Sequence, residues 1–147
     1  METTSRTPSN TYRECITDMN PFSLNRLLML QMAYCFTGIM YNVCSLQAQR
    51  GGLQAWASTD AVTGVASVAL YGLMLSTGLM KKLSLYRLLM AISVILYGYG
   101  GVLTHLLNAG QLELYQSVWT WTGAIAINSC GLALNLAAAC GWFTRTP

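Results

Sequence analysis

The chain has 147 residues, of which 54% are hydrophobic and 9% are charged. An ordinary soluble domain has about a quarter charged residues. The eight Lys and Arg and five Asp and Glu residues of this chain could not cover the surface of a soluble bundle. The composition therefore excludes a disordered tail, a nucleic-acid-binding module and a disulfide-stabilised secreted domain. It predicts a membrane protein with a single domain.

Charged residues divide the chain into four long uncharged stretches, at about residues 27–46, 61–80, 88–107 and 118–142. A helix needs about 20 mainly apolar residues to cross a hydrocarbon core of roughly 30 Å. None of the stretches alternates with a period of two, as the strands of a membrane barrel do. We therefore predict an all-α polytopic membrane protein, with a bundle of four transmembrane helices in residues 24–147.

Basic residues are concentrated on one side of the predicted spans. Seven of the eight lie before the first span, between the second and third, or after the fourth, and only Arg50 lies on the other side. Because basic residues are retained in the cytoplasm, both termini are predicted to be cytoplasmic, including a tail of residues 1–23. A bacterial inner membrane is the favoured location. In an organelle the termini would face the matrix or stroma.

Four residues are predicted to lie at the membrane–water boundaries. Arg26 and Arg87 precede the first and third predicted spans, where long basic side chains can extend to the lipid headgroups. Trp119 and Trp142 are at the outer and inner ends of the fourth span, where amphipathic rings prefer to lie. We therefore interpret all four residues as interfacial anchors.

The two halves of the chain resemble each other. Residues 23–29 (SLNRLLM) and 84–90 (SLYRLLM) agree at six of seven positions, and Gly72-Leu73 of the second span matches Gly131-Leu132 of the fourth. Biased composition is one explanation. The other is a duplicated helical hairpin, in which the two copies would be related by an axis along the membrane normal.

Each span has small and polar residues at helical spacing. Among them are four amide side chains, Gln31, Asn42, Asn128 and Asn135, which form a candidate intramembrane polar face. Helices associate in lipid through small residues and interhelical hydrogen bonds. We favour this role for the amides. The alternative is a polar lining for a solute path or a ligand pocket.

The spans contain little that could perform chemistry. No acidic residue lies within them, His105 is the only histidine, and the five cysteines form no C-x-x-C pair. His105 is predicted to be an interfacial or capping residue, since one histidine cannot supply the two ligands of a membrane cytochrome b. We therefore expect no catalytic residue, no metal and no cofactor.

These expectations favour a non-catalytic accessory or interaction protein, such as a complex subunit, an assembly factor or an immunity-type protein. Such a protein would need only the faces of its helices to act. Its partners would be the lipid bilayer and either another membrane protein or a second copy, and it would bind no nucleic acid. The alternative is a small dimeric transporter or channel lined by the amide side chains.

Overall fold

The computed structural model describes residues 23–144, so the predicted tail lies outside the described residues except for Ser23. Within residues 23–144 the chain is helical and contains no β-strand, apart from one isolated bridge between Ser23 and Thr144. The α-helices are α1 (Leu24–Arg50), α2 (Ala61–Leu79), α3 (Leu83–Tyr97), α4 (Thr104–Leu107) and α5 (Val118–Cys140). A π-helical segment, Gly98–Leu103, joins α3 to α4, and two 3-10 turns, Asn108–Gly110 and Leu112–Leu114, follow α4.

In residues 23–144, four helices are long and apolar enough to cross a membrane: Leu24–Arg50, Ala61–Leu79, Leu83–Gly110 and Val118–Cys140. The third, hereafter the third span, combines α3, the π-helical segment, α4 and the first 3-10 turn. The predicted all-α bundle of four transmembrane helices is confirmed, and the protein is an integral membrane protein.

The helix ends differ from the predicted spans where a basic residue lies inside a helix. The first helix extends to Arg50, and the third span begins at Leu83, so that it includes Arg87. Charge limits the length of chain that can lie in hydrocarbon, but a helix can continue into the headgroup region while its basic side chains remain in water.

Neighbouring spans in the sequence are also neighbours in the bundle. The closest pairs are α1 with α2 and the third span with α5; α1 also packs on α5, and α2 on α3. The Leu24 N–H donates to the Thr144 carbonyl at 3.1 Å, so the two ends of the described chain meet. They meet at the end of the bundle that also contains Arg26, Lys81, Lys82 and Arg87, hereafter the basic end.

The opposite end, hereafter the loop end, is formed by residues 51–60 and 108–117, and these two loops pack together. The Gln116 N–H donates to the Ala55 carbonyl at 2.7 Å. The Trp56 N–H donates to Ser45 Oγ at 2.9 Å, which ties the first loop to α1. The Tyr41 hydroxyl lies 2.8 Å from the carbonyl oxygens of both Trp56 and Thr120.

The N-terminal caps of α2 and α5 also lie at the loop end. Asp60 Oδ1 accepts from the Thr63 N–H at 2.8 Å and from the Thr63 hydroxyl at 2.7 Å. These two hydrogen bonds stabilise the carboxylate and hold the pKa of Asp60 below its usual value. Ser117 and Thr120 form a capping box at the start of α5.

Glycines allow the spans to approach closely. A Cβ at Gly131 would lie 2.8 Å from Cε1 of the Tyr34 ring, and closer still to Cε2 and Cζ. A Cβ at Gly78 would lie 2.8 Å from a methyl group of Leu28. Since lipid tails are as apolar as leucine, this close packing is what holds membrane helices together.

Candidate functional site

Two of the four predicted amides lie in a polar network at the basic end. Gln31 Nε2 donates to Asn135 Oδ1 at 3.1 Å and to Met90 Sδ at 3.2 Å. The Tyr71 hydroxyl donates to Asn135 Oδ1 at 2.7 Å, and the Tyr86 hydroxyl donates to Gln31 Oε1 at 2.5 Å. These five residues are fully buried and come from all four spans. We call them the polar network.

The hydrogen bonds of the polar network link the four spans to one another. In lipid, an interhelical hydrogen bond contributes on the order of 0.6 kcal/mol. Gln31 and Asn135 thus have the geometry expected of interhelical hydrogen-bonding residues. In residues 23–144, Asn135 Nδ2 is the single side-chain nitrogen or oxygen atom that is itself inaccessible to solvent and has no hydrogen-bond partner.

The other two amides, Asn42 and Asn128, line a cavity in the half of the bundle nearer the loop end. The cavity has a volume of about 340 Å³ and lies between α2 and the third span. Each amide donates to the carbonyl four residues earlier in its own helix, at 2.8 Å. Each also lies against a glycine of a neighbouring helix, since Cβ atoms at Gly64 and Gly101 would lie 2.6 Å from an atom of the amide.

The predicted polar face is therefore divided between two places. Gln31 and Asn135 are in the polar network, whereas Asn42 and Asn128 are in the cavity wall. All four turn towards the interior of the bundle.

The remaining cavity wall is polar towards the loop end and apolar towards the middle of the bundle. Its other hydrogen-bonding side chains are Thr59, Thr63, Ser67, Tyr97 and His105. Its larger apolar side chains are Val68, Leu70, Met74 and Leu96. The Tyr97 hydroxyl donates to the Ser67 carbonyl at 2.7 Å, which joins the third span to α2.

His105 lies near the loop end and is buried within the protein, with 2% of its surface exposed. Its Nδ1 lies 2.7 Å from the Tyr115 hydroxyl, and the Trp121 indole N–H donates to its carbonyl at 2.9 Å. These contacts fix the ring in the cavity wall. His105 Nε2 has no hydrogen-bond partner within residues 23–144.

The π-helical segment Gly98–Leu103 forms part of the cavity wall. It contains Gly98, Gly100 and Gly101, and a Cβ at Gly100 would meet no atom within 4 Å. π-helical turns occur within longer helices and are frequent at functional sites. The run of glycines is the sequence signal that could have indicated this irregular turn.

The four predicted anchors lie at the two ends of the bundle. Arg26 and Arg87 are exposed at the basic end. Arg87 Nε also donates to the Ala139 carbonyl at 3.1 Å, so this arginine caps the C-terminus of α5. Trp119 and Trp142 lie near opposite ends of α5 and are 81% and 54% exposed.

Metal-binding and redox groups are sparse in the part of the chain that the structure describes. Residues 23–144 contain no group of three or more His, Cys, Asp or Glu side chains that could hold a metal ion. Cys35, Cys44, Cys130 and Cys140 are free thiols. Cys35 Sγ donates to the Val68 carbonyl at 3.4 Å, which is a packing contact between α1 and α2.

Comparisons of the chain with protein-family models, with curated proteins and with solved structures gave no match.

Proposed function

We propose that this protein is a non-catalytic accessory or interaction protein of the membrane, acting through helix–helix contacts within the bilayer. It would be a complex subunit, an assembly factor or an immunity-type protein. The observation that supports the proposal most is the outer face of α5. Its exposed residues from position 120 onward are mostly small: Thr122, Ala126, Ser129, Cys130, Ala133 and Cys140, with Leu136 among them.

The other spans present bulkier side chains on their outer faces. On α1, Met29 and Phe36 are largely exposed, as are Leu73 on α2 and Ile95 on the third span. Large apolar side chains are well solvated by lipid, whereas small ones at spacings of three and four let another helix come close. The face of α5 is therefore the best-suited surface for a partner helix.

The partner would be a transmembrane helix, either of another membrane protein or of a second copy. The inward amides form hydrogen bonds within the bundle, so the contact would depend on close packing of α5. Basic residues at the basic end favour cytoplasmic termini in a bacterial inner membrane. The close packing within each sequential pair of spans is compatible with a duplicated hairpin.

The test is a change of side-chain size on this face. Ala133→Leu should abolish recovery of a stoichiometric partner, or of the homodimer, from native membranes, because the larger side chain prevents close approach. Ala69→Leu on the exposed face of α2 is the matched control and should leave recovery unchanged. Equal recovery with both variants, in folded protein, would contradict the proposal.

The cavity favours a second candidate function, that of a small dimeric transporter or channel. Asn42 and Asn128 would then be part of a solute path. The polar network is buried in the half of the bundle nearer the basic end, so a solute path along the whole bundle would require this network to separate. Flux of a solute into liposomes containing only the purified protein would support this function over the first.

A further inference from the structure

We propose that the cavity between α2 and the third span binds one molecule of an uncharged single-chain lipid. The lipid would have a hydroxyl-bearing head of the monoacylglycerol type and would enter sideways from the bilayer. Lipid binding in the cavity is independent of whether the outer face of α5 binds a partner.

The cavity has a polar end and an apolar end, in the order expected for the head and chain of a lipid that lies along the membrane normal. Thr59, Thr63 and His105 line it towards the loop end, and Leu70 and Met74 line it towards the middle of the bundle. At 1.5 Å per residue, the wall of α2 from position 63 to position 74 is roughly 16 Å long. A head at the loop end with its chain directed inwards fits this order.

The lining favours an uncharged head. None of the residues that line the cavity is Asp, Glu, Lys or Arg. A charged group would enter this site without an opposite charge, and burial of an unpaired charge is strongly unfavourable. A phosphate or ammonium headgroup is therefore expected to be excluded, whereas a glycerol head is not.

Hydrogen-bonding groups are available to the head. Within residues 23–144, neither Ser67 Oγ nor His105 Nε2 has a hydrogen-bond partner. The Asn42 and Asn128 amides each use one N–H on their own helix and retain a second. This set offers both donors and acceptors, which matches a hydroxyl group because a hydroxyl can both donate and accept.

The cavity has an entrance for the chain and space for the head. Leu70 and Leu96 line it from its two sides and are 53% and 57% exposed at the outer surface of the bundle, so an acyl chain can run out between them. Space for the head is present beside Gly100, which has no side chain and where a Cβ would meet no atom within 4 Å. The volume of about 340 Å³ is within the range of small-molecule sites.

Photolabelling with a monoacylglycerol that carries a diazirine in its acyl chain tests the proposal on the purified full-length protein. Labelling should be saturable, should be displaced by unlabelled monoacylglycerol, and should map to peptides of α2 and the third span. Gly100→Leu fills the cavity and should lower this labelling at least tenfold. Gly100→Ala, which leaves most of the volume, should stay within twofold of the wild type. Ser67→Ala should weaken binding about two- to tenfold, the effect of one net hydrogen bond.

Circular dichroism and gel filtration establish that each variant is folded. If Gly100→Leu does not fold, Ser67→Leu fills the same cavity from the α2 side and should lower labelling equally. Undiminished labelling of a folded filling variant would overturn the proposal. So would labelling spread over all lipid-facing peptides, or stronger binding of a phosphate-bearing analogue than of the glycerol probe.

Discussion

Substitution of Gly131 tests the close packing of α1 against α5. In Gly131→Ala, the new Cβ would lie 2.8 Å from Tyr34 Cε1 and closer to two other ring carbons, whereas carbon atoms prefer separations of about 3.5–4.0 Å. Tyr34 cannot move freely, because its ring packs edge-on against Tyr71 with centroids 5.3 Å apart. Overpacking of this kind destabilises proteins by about 1–3 kcal/mol.

The matched control is Gly100→Ala, where the added Cβ meets open space. Alanine stabilises a helix relative to glycine by about 0.5–1 kcal/mol, and this gain is common to both variants. We therefore expect Gly131→Ala to be about 1–3 kcal/mol less stable than Gly100→Ala. Equilibrium unfolding in mixed detergent micelles, followed by circular dichroism, measures the difference. Equal stability of the two variants would refute the close approach of α1 and α5.

Four further variants probe the polar network and the helix caps. Tyr71→Phe should lower the free energy of unfolding by about 0.6 kcal/mol, because Asn135 loses one of its two donors; no change would contradict the network. Arg87→Ala should lower the free energy of unfolding by about 1 kcal/mol through loss of the α5 cap, whereas the control Arg26→Ala should lower it by less than about 0.5 kcal/mol. Equal effects of the two substitutions would argue against capping by Arg87. The lowered pKa of Asp60 implies that its cap stabilises the fold above the unfolded-state pKa and is lost as the pH falls through the folded-state value. Between neutral and acidic pH, the free energy of unfolding should therefore fall less in Asp60→Asn than in the wild type. Parallel plots of this free energy against pH for the two proteins would contradict the prediction.

Much of the fold could be predicted from the sequence because a lipid bilayer allows so few backbone conformations. A stretch of about 20 apolar residues has few stable conformations in lipid other than a helix. The small and polar residues on one side of each span also indicated the inward faces. Gln31 and Asn135, two of the amides on these faces, are fully buried.

What the sequence did not indicate was which polar groups would meet. Helical spacing places Gln31 and Asn42 on the same side of α1, but it does not determine the depth and rotation of the neighbouring helices. Those relationships place Gln31 beside Tyr86 and leave Asn42 in a cavity wall. Tyr71 is one of the polar residues on the inward face of the second span, but neither its hydrogen bond to Asn135 nor the hydrogen bond of Tyr86 to Gln31 could be predicted, for the same reason.

Cysteine accessibility in a variant without native cysteines tests whether the protein is a four-span bundle with both loops on one side of the membrane. Gln54→Cys and Gly110→Cys place single thiols in the two loops, and Lys82→Cys places one in the turn at the basic end. With a membrane-impermeant maleimide on intact cells, the two loop positions should react alike and the turn position should show the opposite accessibility. Opposite behaviour of the two loop positions, or equal labelling of all three, would contradict the four-span arrangement.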